Sequence, residues 1–262
     1  MQALSRPFGA IHVQIDGPAG APAVVFANSL GTDLRLWDRV LPLLPQNLRY
    51  IRYDKRGHGL SSIDAGSRDI ADHISDAVAV IEAFAQGPTV FVGLSIGGLI
   101  AQGVAATRPD LLQALVLSNT AAKLGTADSW RARIAAVQEG GCDAIADGVM
   151  ARWFGPDFLA SAELPLWRHM LARSSPQGYI AACHALAGAD LRAQTAQLTL
   201  PTFVISGALD GASPPEVVKD TADLIAGAQF HCIPNAGHLP CVEAPAAWAA
   251  LVSPFLKAHI NA

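Results

Sequence analysis

Gly93-Leu94-Ser95-Ile96-Gly97 follows directly on the apolar run Thr89 to Val92, and Asp210 and His238 come later in the chain, each just past another apolar run. A serine with glycine two residues before and after it, at a strand-to-helix junction, suits a sharp turn that strains the serine backbone and holds its hydroxyl out. Side chains at 93 and 97 would collide across so tight a turn. A serine hydroxyl is a poor nucleophile at neutral pH. It needs a base within hydrogen-bond reach, and the base needs a partner to fix its tautomer and stabilise its positive charge. Ser95, His238 and Asp210 supply those three roles, and the chemistry would be acyl transfer. The tetrahedral oxyanion of such a reaction needs two backbone N–H donors. Ile96, just after the nucleophile, offers one; Leu30, in the loop Asn28-Ser29-Leu30-Gly31, offers the other. Two alternatives for the acid stay open: Asp54 or Asp190 could replace Asp210, and Asp210 could instead cap a helix beginning near Pro214.

These residues need a frame that brings them together. Apolar, β-branched runs of strand length recur at 10–15, 23–27, 50–53, 89–92, 114–117, 202–206 and 230–233. Continuous runs of this kind suit strands buried on both faces. Between them, 69–84, 96–106, 215–226 and 245–258 carry apolar residues three and four apart, as helices do. Strand alternating with helix predicts an α/β fold with a mostly parallel sheet covered on both sides and right-handed crossovers. Ser95, Asp210 and His238 then fall at one edge of that sheet. After Asn119 the rhythm breaks for about eighty residues that carry helical patterns such as 129–139. The expected division is therefore a core of 1–120 and 190–262 with an inserted helical cap, 121–189, lying over the site.

Composition narrows the function. Of 262 residues, 51% are hydrophobic, enough for a large core, and the net charge is −4 with 18 basic residues scattered along the chain. No basic stripe marks a nucleic-acid surface, and anionic membranes are disfavoured. No signal-like start or long apolar span is present, which predicts a soluble cytoplasmic protein. The four cysteines are irregularly spaced and read as reduced thiols. Cys241, three residues past His238, lacks the turn that would present a catalytic thiol. The remaining histidines show no metal-ligand spacing, so neither a metal nor a cofactor is expected. Association into a homo-oligomer is left open.

The loop Asn28-Ser29-Leu30-Gly31-Thr32-Asp33, the stretch Tyr53 to Ser61 with its Arg56-Gly57-His58-Gly59 turn, the elbow around Ser95, the segment Gly207 to Pro215 and Ala236-Gly237-His238 together resemble the 3-oxoadipate enol-lactonases of the α/β-hydrolase superfamily. The resemblance runs over nearly the whole chain. The elbow and the Arg-Gly-x-Gly turn are common to the superfamily. Asn-Ser-Leu-Gly-Thr-Asp, with the cap stretch from Ser129-Trp130 to Arg152-Trp153-Phe154, points to the lactonase branch. Where many such enzymes have His-Gly in the oxyanion loop, this chain has Asn28-Ser29, so the anchoring of that loop must differ. The resemblance implies an eight-stranded sheet and a small anionic lactone as substrate, opened to 3-oxoadipate in protocatechuate and catechol catabolism. A substrate carboxylate would need a cationic anchor. Arg133 is named for it, with Arg131, Arg152 and Arg168 also in the cap, although each also reads as a surface helix arginine. Trp130 and Trp153 would wall the pocket or fill the cap core. A general carboxylesterase, a cofactor-free haloperoxidase-type perhydrolase and a carbon–carbon bond hydrolase share the same triad, and a non-catalytic ligand-binding relative shares the fold.

Overall fold

The structure is a computed structural model, and it describes residues 1–64, 66 and 69–260. The last two residues of the expected 190–262 segment lie outside the described residues. The chain opens with β1 (Gln2–Arg6) and β2 (Gly9–Asp16), an antiparallel hairpin. Then come β3 (Ala23–Ala27), β4 (Arg49–Tyr53), β5 (Thr89–Leu94), β6 (Leu112–Ser118), β7 (Thr202–Gly207) and β8 (Gln229–Ile233). They form one sheet in the order β1-β2-β4-β3-β5-β6-β7-β8. β2 runs antiparallel to β4, and every pairing from β4 to β8 is parallel.

Every residue of β3, β5 and β7 is buried, as the continuous apolar runs require. Each of the valines, isoleucines and phenylalanines there contributes about 1.5–3 kcal/mol by leaving water. The expectation of burial on both faces fails for β2 and β8. Only Ile11 and Val13 of β2 and Ile233 of β8 are buried, because β8 closes one margin of the sheet and β2 lies one strand from the other. β1, unforeseen in the sequence, is the opposite margin; its alternating Gln-Ala-Leu-Ser-Arg is mostly exposed.

α1 (Ile70–Phe84) starts at Asp69, whose side chain accepts from Ala71 N at 2.9 Å. It packs on α2 (Ile96–Thr107), which lies against β3, β5 and β6. Between β6 and β7 come α3 (Ala127–Gly140), α4 (Asp143–Trp153), α5 (Pro156–Leu159), α6 (Leu164–Ala172), α7 (Pro176–Gly188) and α8 (Arg192–Thr195). Thr126 and Ser129 close a reciprocal cap at the start of α3, which packs on α4 and α7. After β7 follow α9 (Pro215–Leu224), α10 (Pro240–Glu243) and α11 (Pro245–His259). α11 packs on β6 and brings the buried Trp248 to 5.9 Å from the ring of Trp37.

The register decides where chemistry collects. Ala27 pairs with Gly93, Leu94 with Ser118, Ser118 with Ile205, and Gly207 with Ile233. The carboxyl ends of β3, β5, β6, β7 and β8 are therefore level. Residues 28–31, 95–96, 119, 208–213 and 234–238 leave the sheet side by side, at the edge where ligands of parallel sheets bind.

Candidate active site

Ser95 sits between β5 and α2 at φ 58°, ψ −122°, a backbone state that a non-glycine residue occupies only when its surroundings impose it. Those surroundings are on both sides. Ser95 N donates to Ser118 O at 3.1 Å, and Ser95 O accepts from Gly98 N at 2.9 Å and Thr120 Oγ1 at 2.6 Å. A Cβ at Gly93 would lie 2.2 Å from Gly97 O, and one at Gly97 only 2.1 Å from Ala27 O, so the turn closes only with glycine at both places. The Ser95 hydroxyl opens into a cavity of about 110 Å3 that Ser29, Leu30 and His238 also line.

His238 Nδ1 lies 2.8 Å from Asp210 Oδ2. A carboxylate there accepts, so Nδ1 carries the proton and Nε2 is left with its lone pair facing the cavity. Asn119 Nδ2 donates to the same Oδ2 at 2.9 Å, and the Ser213 hydroxyl lies 2.7 Å from it. Ala212 N and Ser213 N donate to Oδ1 at 2.7 and 2.9 Å. Burial pushes the Asp210 carboxyl pKa up; the charge and hydrogen bond of His238, with the Asn119 and Ser213 donors, outweigh it and hold the pKa below the usual carboxylate range. The acid is thus kept ionised beside the imidazole. His238 Nε2 is 3.5 Å from Ser29 Oγ, and among the described residues the Ser95 hydroxyl has no hydrogen-bond partner. Catalytic hydrogen bonds are commonly long before substrate arrives and tighten in the complex.

Among the described residues Leu30 N and Ile96 N have no acceptor, and Ile96 N is one of the unpaired donors that any helix start leaves. Both residues are buried, and Leu30 lines the cavity with Ser95. Asn28 is anchored twice: Trp37 Nε1 donates to its Oδ1 at 2.7 Å and its Nδ2 donates to Tyr53 O at 3.0 Å. Ser29 O accepts from Thr32 Oγ1 and Lys55 Nζ, both at 2.9 Å.

The far wall comes from the helices between β6 and β7. Trp130, Trp153, Arg133, Arg152 and Tyr179 line the cavity, and no acidic side chain does. The Trp153 ring stacks on the His238 imidazole, with centroids 6.3 Å apart and planes at 23°. Arg133 Nη1 donates to the Tyr179 hydroxyl at 3.1 Å. The Arg152 guanidinium has no ion pair or hydrogen bond with any described residue; Arg152 is exposed at the rim, and the partial desolvation of its guanidinium, then the neighbouring Arg133, draw its pKa down.

A strained serine after the fifth strand, with an aspartate reached from the seventh and a histidine from the eighth, is an arrangement seen across a large group of enzymes. A model of that group, described as the alpha/beta hydrolase family, matches residues 24–251. The chain belongs to the alpha/beta hydrolase family. It is 34% identical to 3-oxoadipate enol-lactonase 2 of Acinetobacter baylyi, covering 95% of this chain and 93% of that one. Among solved structures, the enol-lactonase from Burkholderia xenovorans LB400 superposes with a TM-score of 0.93 at 33% identity, over 98% of this chain and 100% of that one. A hydrolase from Pseudomonas aeruginosa PA01 does so with a TM-score of 0.92 at 37% identity, over 97% of each chain.

Within this alpha/beta hydrolase the structure sorts the sequence candidates. Asp210 stands beside His238, and α9 begins beyond it with Pro214 rather than Asp210 at its cap position. Asp54 is engaged instead by His12 at 2.7 Å, and Asp190 by Arg192 and Lys123. Arg131 and Arg168 lie outside the cavity: Arg131 pairs with Asp128, and Arg168 with Asp143 and Asp147 at 2.8 and 2.7 Å. Cys241 is fully buried, its pKa raised by that burial and its Sγ against Leu36 O. Sequence reasoning missed Asn119 and Ser213. Asn119 follows a strand at the same sheet edge, and Ser213 lies three residues after an Asx-turn aspartate; both were available as signals. Among the described residues no group of histidine, cysteine, aspartate and glutamate could hold a metal ion, and no helix is long and apolar enough to cross a membrane.

Proposed function

We propose that this hydrolase opens 3-oxoadipate enol-lactone to 3-oxoadipate with Ser95, His238 and Asp210 as its catalytic triad. The observation that carries the reading is the pair Arg133 and Arg152 in a small cavity beside Ser95 that has no acidic side chain on its wall. Two cations without a carboxylate partner, Arg133 half-buried and Arg152 reaching in from the exposed rim, suit an anionic substrate by charge and hydrogen bonding. The likeness to enol-lactonases over nearly the whole chain supports the same substrate class.

Ser95 Oγ attacks the lactone carbonyl carbon while His238 Nε2 takes its proton, and the oxyanion falls to the Leu30 and Ile96 N–H groups. Collapse breaks the ring C–O bond and expels an enolate. His238 returns the proton, and the enol becomes the ketone. Water then gives a proton to His238 and its hydroxide to the acyl carbon, releasing Ser95 and the second carboxylate. Asp210 stabilises the imidazolium throughout. Residues 121–189 act as the cap that shapes this site, Trp130 and Trp153 walling it. The reaction belongs to protocatechuate and catechol catabolism in the cytoplasm, a compartment that four unpaired cysteines suit.

The test is loss of the enol-lactone's ultraviolet absorbance, with the lactone generated in situ and a short-chain nitrophenyl ester as reference. Ser95→Ala should abolish turnover of both. Arg152→Gln should lower kcat/KM for the lactone roughly tenfold or more while leaving the neutral ester within a factor of about two, the loss of one charge-assisted contact. Ester turnover without lactone turnover would keep the triad and discard the substrate.

A further inference from the structure

Glu243 takes no part in the reaction just described, yet its carboxylate joins the two halves of the site. It ends α10, and its oxygens accept separately: Oε1 from Gly155 N at 2.7 Å, Oε2 from Gly237 N at 2.6 Å. Gly155 is two residues beyond Trp153, in the cavity wall; Gly237 immediately precedes His238. The same two strips of chain are bonded directly, since His238 N donates to Trp153 O at 2.7 Å and Gly211 N to Arg152 O at 3.0 Å. Gly237 O in turn accepts from Asn119 Nδ2, which also holds Asp210. A Cβ at Gly237 would lie 2.3 Å from Trp153 O and 3.1 Å from Glu243 Oε2, so this close approach admits only glycine.

We propose that Glu243 is a positioning residue that sets the register between the general base and the substrate-binding wall, through Gly237 to His238 on one side and through Gly155 to Trp153 and Arg152 on the other. The inference rests on the triad reading but not on the lactone. Two N–H donors face one side chain, and only a carboxylate offers an acceptor to each. A carboxamide keeps one acceptor and turns its NH2 toward the other donor. One of the two strips is then released, and the stacked pair Trp153–His238 loses its fixed offset. Displacements well under a residue length matter here because attack geometry is steep in distance.

The experiment compares wild type with Glu243→Gln on the neutral nitrophenyl ester, counting active sites by fluorophosphonate labelling of Ser95 so that only folded enzyme is measured. The low-field proton resonance of His238 Nδ1–H is recorded alongside. The expected result is a kcat per labelled site lowered roughly ten- to a hundredfold, with the Nδ1 resonance shifted. Unchanged kcat per site with an unmoved resonance, whatever happens to Tm, would overturn the proposal and leave Glu243 a support of the fold alone. Should Glu243→Gln yield no folded protein, Gly155→Pro removes the wall-side donor at a φ of −73° that proline adopts; its Cβ would meet Leu209 Cδ1 at 2.6 Å, the end of an exposed side chain that can turn aside, and Glu243 Oε1 at 3.1 Å, the oxygen whose donor is removed. It should lower kcat per site in the same direction, and wild-type kinetics there would equally sink the idea. Absence of labelling in wild type, or ester turnover that survives Ser95→Ala, would instead bring down the triad reading itself.

Discussion

Lys55 is buried without a carboxylate in hydrogen-bond contact, its Nζ donating to Ser29 O at 2.9 Å in the loop after β3. Burial brings its pKa down to about 7 against the pull of Asp54 and Asp33. A lysine whose folded pKa lies below its unfolded value of about 10.4 binds fewer protons when folded. Its contribution to stability is therefore fully present above that unfolded value and is lost as pH falls through about 7. The stability of wild type relative to Lys55→Met should accordingly rise by about 2 kcal/mol between pH 7 and pH 9, followed by urea unfolding at each pH. A flat difference would mean that the amine stays charged in the fold. Tyr53 and Cys241, whose pKa values burial pushes upward, act in the opposite sense, but both proteins carry them and their contribution cancels in the difference. At the same scale, a single hydroxyl and a single amide, Ser213 and Asn119, complete the solvation that Asp210 gives up on burial, and so keep it an anion without water.

The elbow at Ser95 and the loop of Leu30, the proposed oxyanion donor, form one unit of two elements, because α2 approaches β3 so closely that Gly97 has no room for a methyl group beside Ala27 O. Gly97→Ala should push β3 and the Leu30 loop away from Ser95. The expected cost is about 1–3 kcal/mol in thermal unfolding from overpacking. Ester kcat should fall roughly tenfold or more as one oxyanion donor moves out of reach, and native kinetics would contradict that coupling. Elements of this kind explain what the sequence shows readily. β3, β5 and β7 are buried on both sides, so unbroken apolar runs mark them, and the glycines of the elbow are forced by contact. β1 and β8 border solvent, where alternation and polar residues weaken the signal. Residues that act by converging from distant elements leave almost no local mark. Glu243 meets Gly155 across 88 residues, and nothing in Pro-Cys-Val-Glu announces it. Arg133 and Arg152 were two among four cap arginines until α3 and α4 packed, leaving Arg131 and Arg168 against acidic neighbours outside.

Across the whole molecule, the helices between β6 and β7 are bonded to the sheet edge at the loops that carry Asp210 and His238 and at Glu243, through Arg152 O, Trp153 O and Gly155 N. Trp37, between Asn28 and Trp248, ties the oxyanion loop to the last helix as well. These helices and the sheet should therefore unfold together, in one calorimetric transition with equal van't Hoff and calorimetric enthalpies. Two resolved transitions would show that the helices melt on their own. The cavity they enclose, about 110 Å3, bears also on how turnover ends if the lactone is the substrate. A five-membered ring is compact, whereas the hydrolysed chain is longer and carries a second negative charge that must find a place between the same two arginines. Hydrolysis thus exchanges a compact monoanion for a longer dianion, and the product must leave against the pull of both arginines.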